Sequence, residues 1–292
     1  MGPGCCHCGD LASRAGGDAV LAGKVSVAGT DTSISIDAAT VTVAAELSAD
    51  CVAQRGGISL VARSGSIQTT ASVHANVKGV DPSGQVLLQA AGDIDLGGPL
   101  LANGGSGGTI QVTAGGDLTV HAGVSANGGR IEEAGGGSVQ LLASGDVDVG
   151  GTLSARSIAG FGIGGNITIT PGPGGSVSID GVVDATSRDA SYGTGGNIVI
   201  GPACSVRLAG MLDTQGAPIG GSNAVIYRTS FDATGGAMFA GQDGSNVQCR
   251  CAQVRANGTC AGGCAENPIG LGSGNVVPAA TLIPTDLSAC GS

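Results

Sequence analysis

The residues best placed to do chemistry in this chain are aspartates that recur at matched positions. Asp184 in GVVDAT and Asp213 in GMLDTQ stand at the same point of two successive, similar segments. If those segments stack, their carboxylates could approach the ~5–5.5 Å spacing that retaining glycosidases use. Arg207 and Asp180 would lie close by. Asp184 and Asp213 are therefore the catalytic candidates, and polysaccharide is the substrate class they suggest. The competing reading is ordinary solvated surface. Trp is absent, so no indole can stack on a sugar ring, and Tyr192 is the only aromatic near the pair. His74 and His121 fall two repeats apart, which leaves no Ser–His–Asp or Cys–His arrangement. On balance the chain reads as a non-enzyme.

A second acidic set, Asp93, Asp95, Asp117, Asp146 and Asp148, forms a stripe. Asp93, Asp117 and Asp146 each follow a Gly just ahead of an apolar run. Carboxylates stacked there would repel by about 1 kcal/mol per pair in water and ~3–4 kcal/mol at an effective dielectric of 20. A divalent cation such as Ca²⁺ would relieve this through oxygen ligands. The alternative is that Asp after Gly caps a turn and faces solvent. The Asp-bearing nonapeptide of calcium-loaded β-rolls is missing, since GGSGG at 104–108 carries no Asp. Calcium is thus the one cofactor considered, and none is required.

Ten cysteines cluster toward the termini: Cys5, Cys6 and Cys8 at one end, and Cys249, Cys251, Cys260, Cys264 and Cys290 at the other. Cys51 and Cys204 lie between. Cys5, Cys6, His7 and Cys8 are too crowded to wrap one tetrahedral ion and lack the usual zinc spacing. All ten are read as disulfide candidates that staple the ends, which implies an oxidising compartment. Their connectivity stays open.

Composition narrows the classes further. Gly supplies 57 of 292 residues against only 10 Pro, while hydrophobic residues reach 41% and aromatics 2%. Collagen fails for want of Gly at every third position, and disorder fails on hydrophobicity. A repeat fold with many tight corners and a Val/Ile/Leu/Ala core survives. A net charge of −10 with only two Lys leaves no footprint for a phosphate backbone, so nucleic acid is not an expected partner. No stretch approaches the ~20 apolar residues that span a bilayer. Residues 1–22 do not read as a signal peptide.

The elements that would position these groups come from aligning the chain with itself. GGTIQVTAGGDLTVHAGVSANGG (107–129) recurs as GGSVQLLASGDVDVGGTLSAR and GGNITITPGPGGSVSIDGVVDAT. Each unit holds three apolar–any–apolar runs. Ile110/Val112, Leu118/Val120 and Val124/Ala126 are one set, and the spacing between second and third runs is constant. Unit length varies from 24 to 31 residues, with the slack falling almost wholly after the third run. Period-two alternation makes each run a strand with one buried face. Runs this short cannot pair within a coil, so their partners must be equivalent runs one coil away. The expected fold is all-β: a right-handed parallel β-helix of about eight coils, three short strands per coil. The boundaries are a Cys-rich segment at 1–14, the helix at 15–251, and a Cys-rich cap or tail at 252–292. GGDAVLAGKVSVAG (16–29) aligns with the second and third runs only, so the helix should begin part-way through a coil. Asn76, Asn103 and Asn127 follow the third run and should form a stacked corner ladder.

The units GG-x-I-x-V, GD-L-x-V and V-S-A-N-G resemble those of secreted bacterial β-helix proteins, similar to filamentous haemagglutinin and autotransporter passenger domains. The resemblance covers roughly residues 15–250. It implies an extracellular or cell-surface location in a bacterium and a structural or adhesive role, with the module stacking end to end into a surface fibre. Partners would then be itself or other surface proteins, met through the helix ends. The alternative is a polysaccharide-active β-helix enzyme of the pectin-lyase-like kind, a glycoside hydrolase or lyase using Asp184 and Asp213.

Overall fold

The computed structural model describes residues 9–51, 55–78, 84–129, 134–158, 161–188, 192–254 and 260–268, the positions from 249 onward as backbone only. Every described element is a strand. The Gly-rich corners and the scarcity of helix-favouring runs leave the chain little else. Alternation is visible in the burial itself: in Gly56–Ala62 and Thr109–Ala114 every second residue is buried.

The strands stack in parallel, coil upon coil. In the first run, Ile34, Ile58, Val86, Ile110, Val139, Ile167 and Ile198 pair in unbroken register. The second run aligns Val41, Ile67, Ile94, Leu118, Val147, Val177 and Val206 in the same way. The third runs form a third sheet of nine strands, while the first and second sheets, built by the first and second runs, join into one of eighteen strands. The inward residues make one column, with Leu60, Leu96, Leu118 and Leu141 fully buried. Each coil buries too few side chains to hold itself, so stability resides in the stacking.

Among the described residues the third runs mark nine coils, close to the expected eight. The ninth follows Leu212, where Ala237–Phe239 pairs with Met211–Asp213 as one more third-run strand. Gly9–Arg14 pairs in parallel with Thr32–Ala38 and supplies the first strand of the coil that the alignment of 16–29 leaves incomplete. Its sequence, GDLASR, hides the fact because most of its side chains are exposed and do not alternate. At the other end Ser245–Val254 pairs in parallel with Ser222–Asp232 and antiparallel with Cys260–Pro268. That reversal ends the parallel ladder, and its register sets Cys249 opposite Cys264.

Corners are Gly-rich because neighbouring coils meet there backbone to backbone. A Cβ on Gly108 would lie 2.1 Å from Ala102 O and 2.4 Å from Gly84 O. Only Gly permits that approach. Asn197–Leu208 departs from the rule by running through the first corner as one long strand, with Gly201 at φ +99°.

Candidate functional site

The acidic stripe serves the fold. Asp117 N–H donates to Asp93 Oδ1 at 2.9 Å, Asp146 N–H to Asp117 Oδ1 at 2.8 Å, and Ser176 N–H to Asp146 Oδ1 at 2.7 Å. Each carboxylate thus caps the corner of the next coil, as a turn-capping Asp would. Asp95 and Asp148 lie on the second sheet with Thr119 between them in register, so they are two coils apart. Asp95 faces His121 at 3.6 Å. Among the described residues no three His, Cys, Asp or Glu side chains gather as metal ligands would.

The Asn ladder works alike. Asn103 N–H donates to Asn76 Oδ1 at 3.0 Å and Asn127 N–H to Asn103 Oδ1 at 2.8 Å. It extends beyond the three asparagines: Asp50 Oδ1 accepts from Asn76 N–H at 2.8 Å, and Asn127 Oδ1 from Arg156 N–H at 2.7 Å. Asp50 also faces His74 Nδ1 at 3.0 Å, while Glu46 faces His74 Nε2 at 3.2 Å and Lys24 at 2.9 Å. Hydrogen bonds from Lys24 and then His74 hold the Glu46 carboxyl below the usual range. His74 is thereby engaged by carboxylates, with no nucleophile in the set.

Asp184 and Asp213 are adjacent in register on the third sheet. Parallel neighbours lie about 4.8 Å apart, so the pair is as close as the repeat implies. The cation beside it, however, is Arg156, whose Nη1 lies 3.3 Å from Asp184 Oδ2. Arg207 is instead paired with Asp180 at 2.6 Å on the second sheet. Burial, with Asp184 adding repulsion, pushes the Asp213 carboxyl above the usual range, against a hydrogen bond from Gln215 N–H and the pull of Arg156. Both acids are also engaged locally. Asp184 Oδ1 accepts from Thr186 N–H at 3.0 Å and Thr186 O–H at 2.7 Å, and Asp213 Oδ1 accepts from Gln215 N–H at 3.0 Å.

The variable corner after the third run carries what the repeat did not reveal. Five of the seven exposed large hydrophobics among the described residues lie there: Ile158, Phe161, Ile163, Tyr192 and Ile219. They come from three successive coils. Ile163 bridges Thr194, and Gly193–Thr194 pairs with Pro218–Ile219, so the corners form a small ladder of their own. Phe161 stacks on Tyr192 with ring centroids 5.2 Å apart and planes at 25°. The signal was present in the spacing. Phe161 and Tyr192 are 31 residues apart, as are Ile167 and Ile198 of those same coils.

Of the cysteines, Cys51 is buried with its Sγ 2.6 Å from Thr30 O, and Cys204 is disulfide-bonded. Cys5, Cys6, Cys8 and Cys290 lie outside the described residues, as do the side chains of Cys249, Cys251, Cys260 and Cys264. Among the described residues no helix is long and apolar enough to cross a membrane.

Stacked parallel strands around one aliphatic column define a parallel β-helix protein. Compared with family models, curated proteins and solved structures, the chain matches none of them.

Proposed function

We propose that this chain is a structural or adhesive module of a bacterial cell surface, working outside the cytoplasm. The observation that carries the reading is the exposed patch of Ile158, Phe161, Ile163, Tyr192 and Ile219. Contiguous apolar surface on an otherwise polar exterior marks a place where another surface is met. The haemagglutinin-like repeat units point the same way. Ten cysteines, a disulfide at Cys204 and only two Lys support an oxidising location. The far end favours lateral adhesion over end-to-end growth. Cys260–Pro268 occupies the edge of Ser245–Val254, whereas Gly9–Arg14 has Thr32–Ala38 as its only paired neighbour among the described residues.

The test is capture of the purified protein on immobilised surface polysaccharides and on itself, compared with the Phe161→Ser/Tyr192→Ser double variant. Retention of the original protein and loss by the variant is the expected result. Equal retention of both, or of neither, removes the patch as an adhesive surface.

One observation favours polysaccharide cleavage instead: Asp213, with its raised carboxyl, stands beside Asp184. Turnover of a polysaccharide that disappears in Asp184→Asn/Asp213→Asn would carry that reading. The capping bonds on both carboxylates weigh against it.

A further inference from the structure

We propose that a dent over Gly57, on the outer face of the first sheet, binds an acidic saccharide through the Arg55 guanidinium. This site is built on earlier coils than the apolar corners, and stands or falls independently of them.

The dent is built by a missing side chain. The outward column of the first sheet reads Ser33, Gly57, Gln85, Thr109 in register across four coils. Around Gly57 lies a concavity of about 370 Å³, lined also by Asp31 and Arg55. A second of about 230 Å³ adjoins it and is lined by Ser35, Ser59 and Leu87 as well as Ser33, Gly57 and Gln85. The larger is within the size range of small-molecule sites.

Packing does not explain the glycine. A Cβ on Gly56 would lie 2.4 Å from Ala49 O, and one on Gly84 1.6 Å from Ala75 O, so both must be Gly. A Cβ on Gly57 would meet only Thr32 O, at 3.8 Å, which is ordinary contact. Gly57 lies inside a regular strand, where Gly weakens the sheet. The fold would accept a larger residue at this position, and the absent side chain keeps the dent open.

The lining chemistry selects the ligand. Among the described residues, the side chains of Arg55, Asp31, Gln85 and Thr109 make no hydrogen bond or ion pair, while Ser33 O–H donates to Asp10 at 2.7 Å. An unpaired guanidinium complements a carboxylate with two parallel hydrogen bonds. The unpaired Asp31 accepts hydroxyl donors and repels a doubly charged phosphate. Gln85 and Thr109 suit hydroxyls, and Leu87 offers an apolar surface to ring C–H groups. A sugar bearing one carboxylate satisfies every group. Two dents along one sheet suit a chain of such sugars. The surrounding charge permits it: residues 9–78 hold five of the twelve Lys and Arg and six of the twenty-two acids, so the net deficit lies elsewhere.

The experiment titrates the full chain with a trimer of glucuronate, a trimer of glucose and inorganic phosphate, read by calorimetry. The glucuronate trimer should bind with a Kd of about 1 mM or tighter. It should bind at least ~10-fold better than the glucose trimer or phosphate, a gap of about 1.4 kcal/mol. Gly57→Gln should melt no lower than the original and lose at least ~10-fold in affinity, and Arg55→Gln should lose the preference for the acidic trimer. Absence of glucuronate binding overturns the proposal, as does unchanged affinity in a folded Gly57→Gln. Equal binding of the glucose trimer or of phosphate also overturns it. If Gly57→Gln does not fold, Arg55→Gln alone decides, and an unchanged preference there is fatal.

Discussion

Two corners of the same coil behave in opposite ways. Ahead of the second run the chain turns through Gly116–Asp117 or Gly145–Asp146, and each Asp caps the backbone of the next coil at 2.7–2.9 Å. After the third run the corner varies in length and exposes Phe161, Ile163, Tyr192 and Ile219. At the three corners that carry these aspartates the step from first to second run is eight residues, so successive caps superimpose. The other corner holds a ladder only at its start, through Asn76, Asn103 and Asn127, and is free beyond it. It can lengthen, and it can carry side chains that contribute nothing to the stack. The difference teaches where to look for function in a repeat fold: at the corner that breaks the repeat.

The comparison can be broken most severely by inserting two residues between Gly116 and Asp117. The Asp93 cap would lose its partner and the turn its shape, a loss of about 2–3 kcal/mol that chemical denaturation would report. A milder cut is Asp117→Ala, which leaves the Asp146 N–H without its acceptor and should cost about 1 kcal/mol. Asp117→Asn keeps the acceptor and should melt near the original. Excess chelator should leave the melting temperature unmoved, and a large drop would return calcium to the stripe.

Asp213→Asn sharpens the comparison from the other side, at the run between the corners. The folded carboxyl titrates above its ordinary value of 3.8, chiefly because it is buried. Between the ordinary and the raised value the folded chain holds a proton that the unfolded chain has lost. Stability therefore falls as pH rises through that window, and the penalty persists above it. The variant should be more stable than the original at pH 7, and the gain should vanish below the ordinary value. An equal gain at both pH values would mean that the acid is not desolvated. Smallest in stability is Phe161→Ser/Tyr192→Ser, about 0.5 kcal/mol or less in thermal melts, because both rings are exposed. A larger loss would make the corner part of the stack.

Much of the fold was legible because it rests on a one-dimensional pattern. Val, Ile and Leu at period two, renewed every coil, admit few other architectures, and register then follows from aligning the repeats. The adjacency of Asp184 and Asp213 was legible for the same reason. The first coil was not, since exposed GDLASR carries no alternation. Arg156 was missed because it occupies the place that Asn127 holds one coil earlier, where a ladder residue was expected. The stack of Phe161 on Tyr192 was missed because the variable corner has no pattern to align, and only their 31-residue spacing betrays it. Gly57 could not be told from its many neighbours, since composition does not distinguish a glycine forced by packing from one with room to spare.

What the amino-acid order determined unaided is the column: which side chains face inward, and that each coil must lean on the next. Burial of aliphatic surface depends on residue type and period, and both are written in the chain. Tertiary structure alone decided which polar groups are occupied by caps and which are left open. Hydrogen bonding depends on distance and direction between coils, so identical aspartates became corner caps at Asp93, Asp117 and Asp146 and a half-buried pair at Asp184 and Asp213.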